Sequence, residues 1–145
     1  MTLYFEDIEV GLTRDCGSLT VSREEIVEFG ERYDPQPFHT GPEAAAESAY
    51  GGLIASGWQT CALTARLLVT NYLNDTASAG GRGIDDLRWR RPVRPGDTLS
   101  VRVEVVAKRP GRNPAVGETD VEVTTTNGDG ETVLSMVALG LVERR

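Results

Sequence analysis

Between Trp58 and Tyr72 the chain carries one charged side chain, Arg66, among Cys61, Ala62, Leu63, Ala65, Leu67, Leu68 and Val69. A helix that is apolar nearly all round has to be covered nearly all round. The rest of the chain must therefore bury this helix, and the C-terminal half shows with what. From about Gly83 onward the hydrophobic period changes. Leu99, Val101, Val103 and Val105 alternate with Ser100, Arg102 and Glu104, while Val121, Val123 and Thr125 alternate with Glu122 and Thr124. Alternation of this kind marks strands with one face buried. Gly111-Arg112-Asn113-Pro114 and Asn127-Gly128-Asp129-Gly130 supply turns, so the C-terminal half reads as an antiparallel meander ending near Val142. Periodicity alone thus predicts an α+β fold, a sheet laid against a buried helix. Such a sheet has an open edge, and covering it with a second copy predicts at least a homodimer.

The N-terminal half is helical and irregular. Residues 1–11 lead in with Phe5 and Ile8 turned inward, and residues 12–21 form a first strand. Ser22-Arg23-Glu24-Glu25 is a capping-box pattern that starts a helix running to about Tyr33 and delivering Asp34 at its exit. Pro42 to Ser48 reads as a second, short helix, which Gly51-Gly52 breaks.

Chemistry concentrates between Tyr33 and Gly57, a stretch that holds the only histidine. Pro35 and Pro37 lie between Asp34 and His39, fix φ near −65° and push the residues before them out of helix. The expectation is a stiff extended loop, not a helical turn. A carboxylate and an imidazole held together can position and deprotonate one water molecule. A lone histidine among prolines is also common in plain surface loops. The continuation of the chain favours the functional alternative: Gly51-Gly52-Leu53-Ile54-Ala55-Ser56-Gly57 leads into the apolar helix, whose first N–H groups can stabilise an oxyanion.

Asp34-Pro35-Gln36-Pro37-Phe38-His39 with Gly51-Gly52-Leu53-Ile54-Ala55-Ser56-Gly57 resembles the hydratase signature of the MaoC-like acyl dehydratases, relatives of the (R)-specific enoyl-CoA hydratases. The segment Arg88-Trp89-Arg90-Arg91-Pro92-Val93-Arg94-Pro95-Gly96-Asp97-Thr98-Leu99 resembles that family's turn into a sheet strand, so the likeness spans nearly the whole chain. The resemblance implies a single hotdog domain over residues 1–145, an antiparallel sheet wrapped around a long central helix. It implies hydration of a trans-2-enoyl thioester, or the reverse dehydration of a 3-hydroxyacyl thioester, carried by coenzyme A or acyl-carrier protein.

Carried over by residue, Asp34 and His39 are catalytic, Gly57 and Ser56 bind the thioester oxygen, and Gln36, Tyr33 and Trp58 contact substrate. No metal or redox cofactor is implied, and a homodimer is. Gln36 stands where the family often has asparagine, Ser56-Gly57 where some (R)-hydratases have histidine-glycine, and Ala65 or Thr64 where they carry a serine. Two other readings remain at this level: a hotdog thioesterase that aims water at the carbonyl, and a non-catalytic acyl-binding subunit.

Composition removes other classes. The 22 acidic residues outnumber 15 basic ones, for a net charge of −7, which disfavours nucleic acid and anionic membranes as partners. Cys16 and Cys61 stand apart from each other and from His39, so no zinc motif is present. Cys61 falls inside the apolar helix as a small buried hydrophobe. The N-terminus has neither the basic start nor the apolar run of a secretory signal, and no apolar run approaches the roughly 20 residues of a membrane span, so a cytoplasmic protein is expected. Tyr33, Trp58 and Trp89 either line an acyl tunnel or simply pack. Arg88, Arg90, Arg91 and Arg94 either reach coenzyme A phosphates or face water, as Asp85 and Asp86 are expected to do.

Overall fold

The computed structural model describes residues 1–145 as one antiparallel sheet folded around one long helix. In chain order the strands are β1 (Thr13–Thr20), β2 (Ser78–Trp89), β3 (Thr98–Pro110), β4 (Val116–Thr126) and β5 (Thr132–Glu143). The helices are α1 (Arg23–Tyr33), α2 (Pro37–Thr40), α3 (Pro42–Glu47) and α4 (Gly57–Asn71). The five strands pair in the order β1-β3-β4-β5-β2, every pair antiparallel, as the hotdog resemblance implies. No helix is long and apolar enough to cross a membrane.

The core comes from the alternation. Leu99, Val101, Val103 and Val105 of β3 are buried, and Val103 pairs with Val123 and Val105 with Val121 on β4. Val123 in turn faces Met136 on β5, so one continuous apolar face looks at α4. Leu67 and Leu68 close onto it, and Thr64, fully buried, meets Thr125 of β4 hydroxyl to hydroxyl at 2.7 Å. A buried hydroxyl is costly without a partner; here each satisfies the other.

Three expectations need correction. The segment after Asp34 is not extended throughout: Pro37–Thr40 form a helical turn closed by Gly41 N–H donating to Pro37 O. Proline at the first helical position loses no hydrogen bond, which is why the turn tolerates it; Gln36, just before it, keeps the extended geometry, with φ −76° and ψ 143°. The sheet resumes at Ser78, not Gly83, because a glycine-rich segment with no apolar alternation still pairs through its backbone with β5. Finally, α4 is not covered all round, since Trp58 and Val69 are exposed. They lie toward β2, which is itself exposed along nearly its whole length, including Ile84 and Trp89. Asp85 and Asp86 face water as expected, Asp86 with a positive φ of 54° at a bulge.

The chain ends are tied down locally. Phe5 and Ile8 are buried as expected, and Lys108, the only lysine, donates through Nζ to Phe5 O at 3.1 Å and Ile8 O at 2.6 Å. Its ammonium also stands 4.5 Å from the centre of the Phe5 ring. The capping box at α1 forms in both directions, Glu25 N–H to Ser22 Oγ and Ser22 N–H to Glu25 Oε1, each 3.1 Å.

Candidate active site

Asp34 terminates α1, its own N–H donating to Gly30 O at 2.9 Å, and this fixes where its carboxylate emerges. The next turn, α2, brings back His39, whose Nε2 lies 3.2 Å from Asp34 Oδ2. Close approach of the two helices depends on Gly30, because a Cβ there would stand 2.9 Å from the His39 carbonyl oxygen. A glycine inside a helix costs about 1 kcal/mol relative to alanine, and here the missing side chain makes room for the histidine.

The imidazole is held from its far side. His39 is buried, and Nδ1 is 2.8 Å from the carbonyl oxygen of Ile54. A carbonyl only accepts, so this partner assigns the proton to Nδ1 and leaves Nε2 as the nitrogen free to exchange one. Phe38 packs edge-on against the ring at 4.6 Å between centroids.

Asp34 is fixed at both oxygens. Gln36 Nε2 donates to Oδ1 and Ser56 Oγ to Oδ2, each at 2.8 Å. Burial pushes the Asp34 carboxyl up, but the hydrogen bonds from Gln36 and Ser56 and the charge of His39 together outweigh it, leaving it below the ordinary aspartate value. The group is therefore a carboxylate at neutral pH. Ser56 also caps α4, its Oγ accepting from Trp58 N–H at 3.2 Å. One hydroxyl thus fixes both the carboxylate and the start of the central helix.

Removing that hydroxyl should have two separable effects. Ser56→Ala withdraws a donor that favours the charged form, so the acidic limb of a kcat/KM profile moves to higher pH. It also removes the cap, costing about 1 kcal/mol of stability. Ser56→Gly, which loses only a few tenths as a cap, should keep the displaced limb while recovering most of the melting temperature. The paired pH profiles and melting curves test this.

Around the pair is a cleft of about 430 Å³ lined by Asp34, Gln36, His39, Gly57, Trp58 and Trp89 among others. The two sequence blocks of the resemblance meet in its wall, where Ala55 N–H donates to Val93 O at 2.8 Å. Gly57 begins α4, so its N–H has no acceptor within the helix; a Cβ there would overlap the Trp89 ring.

Of the residues singled out from sequence, Asp34, Gln36, His39, Gly57 and Trp58 converge here. Ser56 lies behind them, fully buried, with its hydroxyl turned to Asp34. Tyr33 is not brought to the cleft; it is 62% exposed and packs on Phe29 at 5.0 Å. Sequence reasoning did not find Phe38, Tyr50 or Thr60 in the lining. Arg90 and Arg91 also line it, the first donating to Ser135 Oγ at 2.8 Å and the second paired with Glu131 at 3.1 Å. No group of three or more His, Cys, Asp or Glu side chains is gathered anywhere as a metal cluster would require.

Known proteins resemble this chain over nearly its whole length. The MaoC-like domain matches residues 9–127. The 3-hydroxybutyryl-CoA dehydratase of Methylorubrum extorquens is 34% identical over 151 aligned positions, covering 99% of this chain and 86% of that protein. A MaoC-like dehydratase from Rhodospirillum rubrum superposes with a TM-score of 0.90 at 41% identity, covering 99% of this chain and 98% of that one. An R-hydratase from Pseudomonas aeruginosa, 24% identical with a TM-score of 0.77 over 99% of this chain and 88% of that one, shares the fold. The chain belongs to the MaoC-like dehydratase family, with the hotdog fold and the general chemistry of acyl-thioester hydration and dehydration.

Proposed function

We propose that the protein adds water across the C2–C3 double bond of a trans-2-enoyl-CoA, or removes it from the matching 3-hydroxyacyl-CoA. The observation that carries this reading is the Asp34–His39 contact at 3.2 Å beside the start of α4, both opening on one cleft. Water held beside the carboxylate and Nε2, within reach of both, gives up one proton to the pair as its oxygen bonds to C3. The π electrons shift toward the thioester, whose oxygen gathers negative charge against Gly57 N–H and the helix N-terminus. A proton then returns to C2, so the addition balances with no redox change. The dehydratase relative from Methylorubrum extorquens supports a short acyl chain on coenzyme A. The exposed β2 edge and the Trp58 and Val69 side of α4 support assembly as a homodimer through that face.

The test is the conjugated absorbance of trans-2-butenoyl-CoA with a thiol assay on the same sample. Hydration removes the band and releases no thiol. Loss of the band together with release of thiol would indicate a thioesterase, and binding of the thioester without turnover would indicate an acyl-binding subunit.

A further inference from the structure

The turn that follows α3 is tied to the rest of the protein at very few points. From Ala49 to Leu53 a single hydrogen bond reaches beyond the turn itself, from Arg94 Nη2 to the carbonyl oxygen of Tyr50 at 2.6 Å. The other bonds are local, with Tyr50 N–H donating to Ser48 Oγ at 3.2 Å and Gly51 N–H to Ser48 O at 3.0 Å. Gly52 lies beside the same guanidinium, where a Cβ would stand 3.4 Å from Nη1.

Arg94 is mounted rigidly. Pro95 and Gly96, the latter with a φ of +87°, are the middle residues of a turn closed by Asp97 N–H donating to Arg94 O at 3.0 Å. Proline presets the second position of such a turn, and glycine supplies the positive φ of the third. Arg94 N–H donates to Asp97 Oδ2 at 2.8 Å. Gly96 N–H and Asp97 O bond the two main-chain groups of Val21, just past the end of β1. The guanidinium therefore projects from a fixed corner, and its charge strengthens the bond it gives to the Tyr50 carbonyl.

Tyr50 carries this contact inward. Its ring packs on Phe38 with centroids 5.2 Å apart and planes at 65°, and Phe38 packs on His39 at 4.6 Å and 83°. Aromatic contacts of this kind have a preferred geometry, and all three rings line the cleft. The imidazole is held at two points, Nδ1 by Ile54 O and Nε2 by Asp34. Those contacts leave its tilt about the line through them to whatever packs on the ring, which is Phe38.

We propose that Arg94 is a positioning residue for the reaction: its bond to the Tyr50 carbonyl keeps Tyr50 against Phe38, and Phe38 keeps the His39 imidazole aimed at the water beside Asp34. This rests on the hydratase reading for its kinetics, and on the His39 ring alone for its spectroscopy. A misplacement of about 1 Å can cost about 100-fold in rate, so a ring that tilts within its pocket should cost about 10-fold.

The experiment compares wild type, Arg94→Ala, Arg94→Lys, Tyr50→Ala and the Arg94→Ala/Tyr50→Ala double variant. Each is measured by steady-state hydration of trans-2-butenoyl-CoA and by the NMR signals of the imidazole, which belong to His39 because it is the only histidine. Arg94 and Tyr50 are both exposed, so neither change opens the core. Arg94→Ala is expected to lower kcat about 10-fold with a smaller change in KM, and to shift or broaden the ring signals. Arg94→Lys, which keeps a charged donor, recovers much of both. Tyr50→Ala reproduces the loss, and the double variant is scarcely slower than either single one, because the two residues act in one chain of contacts.

Three results would overturn the proposal. A loss confined to KM would mean that the cation only attracts the anionic thioester carrier. Rates that multiply in the double variant would mean separate roles. A lower melting temperature with kcat and ring signals unchanged would mean a purely structural tie. If wild type hydrates no thioester, the hydratase reading fails and the ring signals decide alone: a change in Arg94→Ala that Arg94→Lys reverses supports the positioning role, and unchanged signals reject it.

Discussion

Asp34→Asn is expected to lower kcat/KM for trans-2-butenoyl-CoA by about 100- to 10,000-fold, roughly 3 to 5 kcal/mol of barrier, while the protein stays folded. Asparagine keeps the shape of the side chain and can still meet Gln36 and Ser56, both 2.8 Å from the carboxylate in the parent protein. What disappears is the charge and the lone pair that takes a proton from water. The same substitution carries a stability signature. Asp34 titrates below its ordinary value, so its ionised form contributes stability above the unfolded-state pKa, and that contribution fades as pH falls through the lower, folded-state pKa. The variant should therefore lose less stability than wild type on acidification across that interval. Steady-state kinetics at neutral pH and melting curves down an acid series check both halves; full activity in the asparagine protein would remove Asp34 from the reaction.

His39→Ala should cost activity on the same scale, because Nε2 is the only imidazole nitrogen beside the water position. Here stability falls as well. The ring is 4% exposed, and its removal leaves Ile54 O without the partner it holds at 2.8 Å; an orphaned buried acceptor costs about 1 to 3 kcal/mol. Activity must therefore be compared below the lowered melting temperature. If Asp34 and His39 act on one water as a unit, the double variant will be scarcely slower than either single one, since groups that work together are not additive. Rates that multiply would mean that the two residues serve separate steps.

The closeness of Asp34 and His39 was legible because both sit in a short, proline-marked segment and one of them is the only histidine. The core strands were legible for a different reason: β4 alternates along its length and β3 does so from Leu99 to Val105. The turn of α2 was not, since a proline that begins a helix and a proline that stiffens a loop look alike in sequence. Long-range contacts were equally hidden. Nothing near Ser56 announces that its hydroxyl reaches a carboxylate 22 positions earlier, or that Gly30 is small to admit His39. Tyr33 misled because adjacency in sequence suggested adjacency in space; it is the last residue of α1, and its ring turns back onto Phe29, four residues earlier in the helix. Trp89, Arg90 and Arg91 reach the cleft only through the pairing of β2 with β5, whose bulges no single-strand pattern predicts.

Lys108 has a practical consequence. Apart from the N-terminal amine it offers the only site for amine-directed chemistry in the protein, and its nitrogen is engaged by two carbonyls and an aromatic face. Acylating reagents, crosslinkers and activated surfaces therefore have one internal target, whose nitrogen stays engaged while the segment carrying Phe5 and Ile8 is seated on the sheet. The rate of modification at that position is a built-in reporter of local opening at the N-terminus. It can be read by mass spectrometry without placing a label near the cleft that holds Asp34 and His39.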